Sequence, residues 1–296
     1  MDNCTKLGTR TAVKALRALA AIDVLREEHV GDQRTFALTD LGQLLRRDTP
    51  GSLAGWAAFV ARPYHWDSWG DLLQTVRTGE GAFAAQHDGE SIWSWRERHP
   101  DESQIVDRAM GAIAGVVARR LADTYDFSRF SSIADLGGGD GTLLATVLPA
   151  YPSVRGIVFD LPHVVAHAAQ TLAAAGVADR CQLVSGSFFD DVPRGCDAYL
   201  LKSILHDWDD ASSVRILQRV HDATTRGAAL LIVERVVGDI DPSLVAAMSD
   251  LNMMVNTGGV ERTTSEWNAL IDAGGFELTA TIDIGLGWFV IEATRT

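Results

Sequence analysis

A single histidine, in the run Leu200-Leu201-Lys202-Ser203-Ile204-Leu205-His206-Asp207-Trp208-Asp209-Asp210, is the chain's best candidate for moving a proton. An imidazole titrates near pH 6.5 in the absence of perturbing neighbours, at about the pH where a base must both take and release protons. Its place adds to its type. The run follows an apolar segment, 197–201, that reads as the fourth in a series of buried strands, and open α/β sheets bind ligands beyond the carboxyl ends of such strands. A lone histidine is often just a core residue, and Asp209 and Asp210 can serve as caps for the next helix. His206 with Asp207, Asp209 and Asp210 could suggest a metal, but adjacent acids on a strand-to-helix turn point in different directions, so no metal is expected.

The second constellation is Ile133-Ala134-Asp135-Leu136-Gly137-Gly138-Gly139-Asp140-Gly141-Thr142. Glycines between a strand and a helix let the backbone turn sharply and approach a ligand without a Cβ in the way. Thr142 stands where a dinucleotide fingerprint would place its last glycine. The tighter spacing, with Asp135 two residues ahead of Gly137, suits a ligand without a pyrophosphate. Asp160 ends the next apolar segment, where a carboxylate can accept hydrogen bonds from both hydroxyls of a ribose. It can also cap the helix opened by Leu161-Pro162. After the third such segment comes Gly186-Ser187-Phe188-Phe189-Asp190, where an aromatic ring can cover an adenine face.

These residues need a frame. Segments 133–136, 154–160, 181–185, 197–201 and 229–233 are short and nearly continuously apolar, with helical stretches at 141–150, 161–175 and 208–224. That alternation predicts a parallel sheet covered on both faces. Segments 276–284 and 287–293 predict a terminal antiparallel hairpin. Upstream, Val13, Leu16, Leu19, Ala20 and Val24 have helical spacing within 9–26; 34–40 alternates like a strand, and 41–45 reads as another helical turn. Helix, wing and helix suggest a winged-helix fragment. Trp56, Trp66, Trp69, Trp93 and Trp95 serve either helix packing or the wall of an aromatic pocket, and 101–125 predicts a long amphipathic helix. A boundary near residue 125 divides a helical unit, 1–125, from a catalytic unit, 126–296.

Composition narrows the partners. A formal net charge of −13 disfavours nucleic acid and anionic membranes, and no apolar run is long enough to span a bilayer. Cys4, Cys181 and Cys196 are few and scattered, which points to a reducing cytoplasm. Residues 1–60 hold eight Lys/Arg and seven Asp/Glu, too balanced for a winged helix that grips phosphates.

From Ile133 onward the chain resembles the class I methyltransferases. As a whole it is similar to the S-adenosylmethionine-dependent O-methyltransferases of plant phenolics and bacterial aromatic natural products, including those that tailor polyketides, mitosanes and anthracyclines. Four ordered motifs carry the resemblance: DLGGGDGT at 135–142, LLKSILHDWDD at 200–210, LLIVERVV at 230–237 and DLNMMVNTGGVERTTSEW at 250–267. It implies an α/β fold with a Rossmann-like seven-stranded sheet and a mostly helical, winged-helix-type dimerisation domain. By the same resemblance, Asp135, Gly137 and Gly139 belong to the loop that holds the methionine portion of the cofactor, Asp160 holds the ribose, Ser187 and Phe188 flank the adenine, and Lys202 lies against the cofactor. His206 matches the general base, with Glu234 and Glu261 as flanking carboxylates; Met110, Asn252 and Met253 match positions that line the acceptor pocket.

Two departures stand out. The family usually has Asp where this chain has Ser187, which leaves a hydroxyl as hydrogen-bond acceptor. Members also carry further helices ahead of the segment that begins at Met1, so the resemblance implies either a shortened N-terminus or further residues ahead of Met1, and a homodimer that dissociates more readily than usual. The expected chemistry is methylation of a small aromatic hydroxy compound, with a neutral His206 taking the proton as transfer proceeds and the rate falling through an ordinary histidine pKa. Rival readings are a relative that keeps the cofactor but catalyses hydroxylation or decarboxylation, and a winged-helix DNA-binding regulator.

Overall fold

The computed structural model describes residues 9–31, 33–49, 51–238 and 243–295; Cys4 and the first eight positions lie outside them. Strands are β1 (Leu25–Val30), β2 (Gln33–Leu38), β3 (Ser132–Leu136), β4 (Arg155–Asp160), β5 (Cys181–Ser185), β6 (Ala198–Lys202), β7 (Ala229–Glu234), β8 (Phe276–Gly285) and β9 (Trp288–Arg295). Helices before the main sheet are α1 (Thr9–Ala21), α2 (Asp40–Gln43), α3 (Ala54–Val60), α4 (Pro63–Gly70), α5 (Leu72–Thr78), α6 (Ala82–Gln86), α7 (Ile92–Glu97) and α8 (Pro100–Thr124). Those woven through it are α9 (Thr142–Val147), α10 (Pro162–Val165), α11 (Ala168–Ala174), α12 (Asp210–Ala223), α13 (Leu244–Asn256) and α14 (Thr264–Ala273).

Seven strands form one sheet in the order β5-β4-β3-β6-β7-β9-β8. The first five are parallel, and β9 and β8 complete the sheet antiparallel, as the terminal hairpin expected from the sequence. All six side chains of β7 are buried, which is why its sequence reads as a continuous apolar run rather than an alternating one. One face carries a core of Leu144, Leu148, Ala168 and Leu172 with the C-terminal half of α8. The other packs Ile216, Leu217, Trp267 and Ile271 from α12 and α14. Strand order reverses between β3 and β6, so a crevice opens beyond their carboxyl ends.

The 25-residue helix α8 ties the helical layer to this sheet. Val106 and Ala109, near its start, pack with Phe59, Tyr64, Phe83 and Ile92, while Val117, Ala118 and Leu121 belong to the sheet core. Near the N-terminus the structure corrects the expected helix over 9–26. The helix ends at Ala21, Asp23 turns with φ 60°, and Leu25–Val30 pairs antiparallel with β2. The Leu-Arg-Glu-Glu-His-Val sequence hid this strand because a two-stranded wing buries too little for strict alternation. Its basic residues are already paired: Arg17 and Arg34 both contact Glu27, and Arg26 contacts Glu28.

Candidate active site

The glycine-rich loop leaves β3 under backbone control. Gly137 and Gly138 N–H groups both donate to the Phe159 carbonyl, at 2.8 and 3.2 Å, which pins the loop to the end of β4. Gly137 has φ 73°, and a Cβ there would meet Ile204 Cδ1 at 2.3 Å; only glycine fits. Gly139 has φ 58° and nothing within 4 Å of a built Cβ, so it faces open space. Asp160 anchors that turn: its Oδ2 accepts from Gly139 N at 2.8 Å and its Oδ1 from Leu161 N at 2.7 Å. The expected cap is not formed, since Leu161 is the N-cap of α10 and no side chain caps that helix; Asp160 instead fixes the chain on either side of it, and each oxygen retains a second lone pair.

Asp135 lies beneath the loop, 2% exposed, and its Oδ2 has no hydrogen-bond partner. Burial, with Asp160 and Asp140 nearby, pushes its pKa up to about 7. A buried acid without a partner is costly and marks a place shaped for a polar or cationic ligand. At the end of β5, a pocket of about 330 Å³ is lined by Phe159, Ser185, Gly186, Ser187 and Asp190. Phe188 sits between this edge and the glycine loop, 3.8 Å from where a Cβ on Gly137 would stand. Lys202 is half-buried, with its ammonium over the Trp288 ring at 5.2 Å; desolvation lowers its pKa, against the pull of Glu234, Asp135 and Asp207. Open glycine backbone, an orphaned carboxylate oxygen and a lined pocket on one edge fit a nucleoside-bearing cation.

Across the crevice, β6 delivers His206. Ser203 adopts φ 55° just before it, a strained left-handed position for a non-glycine residue, and a short 3-10 turn over Leu205–Asp207 then presents the ring. Glu234, the last residue of β7, accepts through Oε1 from Ile204 N and Leu205 N at 2.9 and 3.1 Å; its Oε2 stands 3.6 Å from His206 Nδ1. Glu261 Oε1 is 3.0 Å from the same nitrogen and also accepts from Ser249 Oγ at 2.7 Å. Both carboxylates therefore address Nδ1, while Nε2 has only Asp207 Oδ1 near it, at 3.9 Å.

Among the described residues, His206, Glu234 and Glu261 are also the one set whose potential ligand atoms all lie within 4.8 Å of one another. The Asp209 and Asp210 carboxylates instead cap α12 and pair with Arg262, respectively. The 3.0 Å contact between Nδ1 and Glu261 Oε1 has hydrogen-bond length, and the two carboxylates together clamp the ring.

The clamp corrects the expectation of a neutral imidazole. Burial pulls the His206 pKa down, but Glu234, Asp207 and the hydrogen-bonded Glu261 outweigh it and raise the pKa to about 10. Burial raises Glu234 as well. Glu261 goes the other way, its hydrogen bond to His206 overcoming burial.

Several residues that hold this arrangement escaped the sequence reading. Arg262, 1% exposed, donates to Leu205 O and Trp208 O at 2.9 Å each and pairs with Asp210. Val260 N donates to His206 O at 2.9 Å, and a Cβ on Gly259 would sit 2.0 Å from that oxygen. The Gly-Gly pair before Val260 was the available signal. Trp93 stacks on Trp208 at 5.9 Å, and the remaining tryptophans divide: Trp56 packs edge-on against Phe59, Trp95 stacks on His99, Trp69 Nε1 donates to Asn252 Oδ1 at 3.2 Å, and Trp66 is exposed. Met110 packs against the helical core. Met253 lies on α13 one residue from Asn252 and accepts through its carbonyl from Thr257 Oγ1 at 3.1 Å.

A family model for the O-methyltransferase domain matches residues 69–277. The chain belongs to this O-methyltransferase family. It is 37% identical over 278 residues to the mitomycin biosynthesis 6-O-methyltransferase of Streptomyces lavendulae, covering 94% of this chain and 78% of that one. Identity is also 37%, over 96% of this chain and 81% of the relative, to the 8-amino-8-demethylriboflavin N,N-dimethyltransferase of Streptomyces davaonensis. An O-methyltransferase from neocarzinostatin biosynthesis, solved with S-adenosylmethionine and 2-hydroxy-5-methyl naphthoic acid, superposes with a TM-score of 0.81 at 29% identity, over 98% of this chain and 86% of the other. The O-methyltransferase uses S-adenosylmethionine, and its sheet is the class I methyltransferase sheet.

Proposed function

We propose that this O-methyltransferase acts on a phenolic hydroxyl of a small aromatic molecule, of the kind found in antibiotic pathways, with His206 as general base. The observation that carries the reading is the clamp: two carboxylates fix Nδ1–H and leave Nε2 as the atom able to take a proton. In this reading Asp135, Gly137, Gly139, Asp160, Ser187, Phe188 and Lys202 hold the cofactor, and Met110, Asn252 and Met253 line the acceptor side. When bound, S-adenosylmethionine supplies a methyl group already activated on a sulfonium sulfur, which leaves the protein the tasks of alignment and proton removal.

With a pKa of about 10, His206 carries its proton at neutral pH. A phenol titrates near about 10 as well, so base and acceptor are matched once the imidazolium has lost that first proton. A proton shared between Nε2 and the acceptor oxygen then moves at little cost. Glu261 and Glu234 stabilise the imidazolium that results. A relative that dimethylates an amino group needs no such removal before attack, because a neutral amine already offers its lone pair; a clamped base favours a hydroxyl here. The test is His206→Ala with a panel of phenols and labelled cofactor. Turnover should fall by about 10² to 10⁴ with S-adenosylhomocysteine affinity unchanged, and a loss below about tenfold would leave alignment as the sole device.

The chain works as a homodimer through its helical unit, 1–125, with 126–296 as the catalytic unit. Support comes from the exposed apolar side chains Leu73 and Val76 on α5 and Leu244 and Val245 on α13, each 60% exposed or more. Cys181 and Cys196 are both free, in keeping with a reducing cytoplasm. Among the described residues no helix is long and apolar enough to cross a membrane.

A further inference from the structure

Buried polar atoms in native proteins nearly always have partners; among the described residues those lacking one include Thr75 Oγ1 and Asn256 Oδ1, and the others fall in two places. Asp135 Oδ2, Glu234 Oε2 and Glu261 Oε2 belong to the crevice already described. Two more come from one patch of the helical layer, Trp93 Nε1 and Arg96 Nε; beside them Tyr64 pairs with Arg96 and His65 with Asn252 through their side chains. The Arg96 guanidinium lies over the Trp93 ring at 5.2 Å and the Phe59 ring at 5.9 Å; Phe59 in turn meets the His65 ring at 5.0 Å. Tyr64, raised by burial, also feels the Arg96 charge.

Arg96 is unusual among the arginines of this chain. It is only 9% exposed, yet among the described residues no carboxylate comes within 4.0 Å of it. Arg262, more deeply buried, has Asp210, and the half-exposed Arg129 has Glu292. A buried guanidinium without a carboxylate is unfavourable unless something else supplies the anion.

Its position says where that anion would come from. Arg96 is one turn along α7 from Trp93, which stacks on Trp208, two residues after His206. Its charge acts on the Asp207 carboxyl, whose Oδ1 is the group nearest His206 Nε2. Arg96 therefore lies close enough to the His206 loop to act on Asp207, and Met110 packs against the cluster that includes Trp93. The waiting groups are matched in kind. Indole and guanidinium N–H groups can only donate.

We propose that Arg96, with Trp93 Nε1 beside it, receives a carboxylate carried by the acceptor, so that the substrates are aromatic hydroxy acids. The inference rests on the proposed base, because that reading places the acceptor on the Nε2 side. A planar fork of guanidinium donors suits a carboxylate better than any neutral oxygen.

The experiment compares a panel of hydroxynaphthoic acids with their primary carboxamides and with the parent naphthols. Each is titrated calorimetrically into enzyme saturated with S-adenosylhomocysteine, and each is assayed for methyl transfer from labelled cofactor. At least one acid should bind on the order of tenfold or more tighter than its amide, and Arg96→Gln should erase that preference while S-adenosylhomocysteine affinity holds. Arg96→Lys should keep part of it. Equal binding of acids and amides by the unmodified enzyme overturns the proposal without any variant, as does a preference that survives in Arg96→Gln. Methylation of naphthols but of no acid overturns it and leaves the base reading intact, whereas no methylation in any series overturns both.

Discussion

Glu261→Gln isolates one charge in the clamp. The amide occupies nearly the same volume, Ser249 Oγ can still donate to its oxygen, and the backbone bond from Glu261 N to Asp250, 2.9 Å long, is untouched. What disappears is the negative charge 3.0 Å from His206 Nδ1. The rise of the His206 pKa from 6.5 to about 10 corresponds to roughly 5 kcal/mol, at about 1.36 kcal/mol per unit. Glu234, Asp207 and Glu261 supply it against the opposing effect of burial, so losing one of these sources should lower the pKa by about one to two units. Because protonation removes the base, kcat/KM should rise with pH toward a limb near 10 in the unmodified enzyme. In Glu261→Gln that limb should lie one to two units lower. At pH 7 the gain in neutral imidazole and the loss in basicity oppose each other, so the informative quantity is where the limb falls. Two acceptors whose hydroxyl pKa values differ by about two units separate the enzyme's titration from the substrate's. A limb that stays put in the variant and moves with the acceptor would refute the assignment of His206 as base.

Asp160→Ala should weaken cofactor binding by about 1.5–3 kcal/mol, the range for hydrogen bonds to charged groups; calorimetry on a folded variant with unchanged affinity would remove Asp160 from the site. Asp135 has a folded-state pKa near 7 against 3.8, so the folded state binds the extra proton and stability falls as pH rises between those values. Asp135→Asn should therefore raise the ligand-free melting midpoint at pH 8 but not at pH 4, while weakening cofactor binding; a lower midpoint at pH 8 would contradict the orphaned-carboxylate argument. Light scattering at micromolar concentration should report a dimer, and a monomer alone would show that the exposed faces of α5 and α13 stay uncovered.

The parallel sheet was legible because its strands are buried on both faces, and β7 could hardly read otherwise. The glycine loop and Asp160 were legible because backbone approach and strand ends leave local marks. The clamp was not. Glu234 and Glu261 entered only through family resemblance, and the effect that matters most, the raised His206 pKa, arises from Glu234, Asp207 and Glu261 together, the last of them 55 positions away. The neutral imidazole expected from an isolated histidine is what local sequence supplies. Arg262 and Gly259 were missed for a related reason: they act on carbonyls of the His206 loop, and backbone partners have no side-chain signature to match. The β1 strand failed differently, since a two-stranded wing imposes little burial and so little pattern.

Charge connects these features. Asp135, Asp207 and Glu234 all have pKa values raised chiefly by burial, and the cations whose charges act on them are Lys202, His206 and Arg96. Carboxyl groups held in such a crevice favour a cofactor with a permanent sulfonium charge. Methyl transfer then converts the sulfonium to a neutral thioether, and the crevice would lose the charge it was shaped around. In the proposed reaction the proton taken from the acceptor restores it, on an imidazole held by Glu234 and Glu261. The positive charge thus passes from cofactor to His206 instead of vanishing, and the same carboxylates that raise the histidine's pKa stabilise the end of that step. Reset requires only that the imidazolium release its proton before the next acceptor hydroxyl arrives.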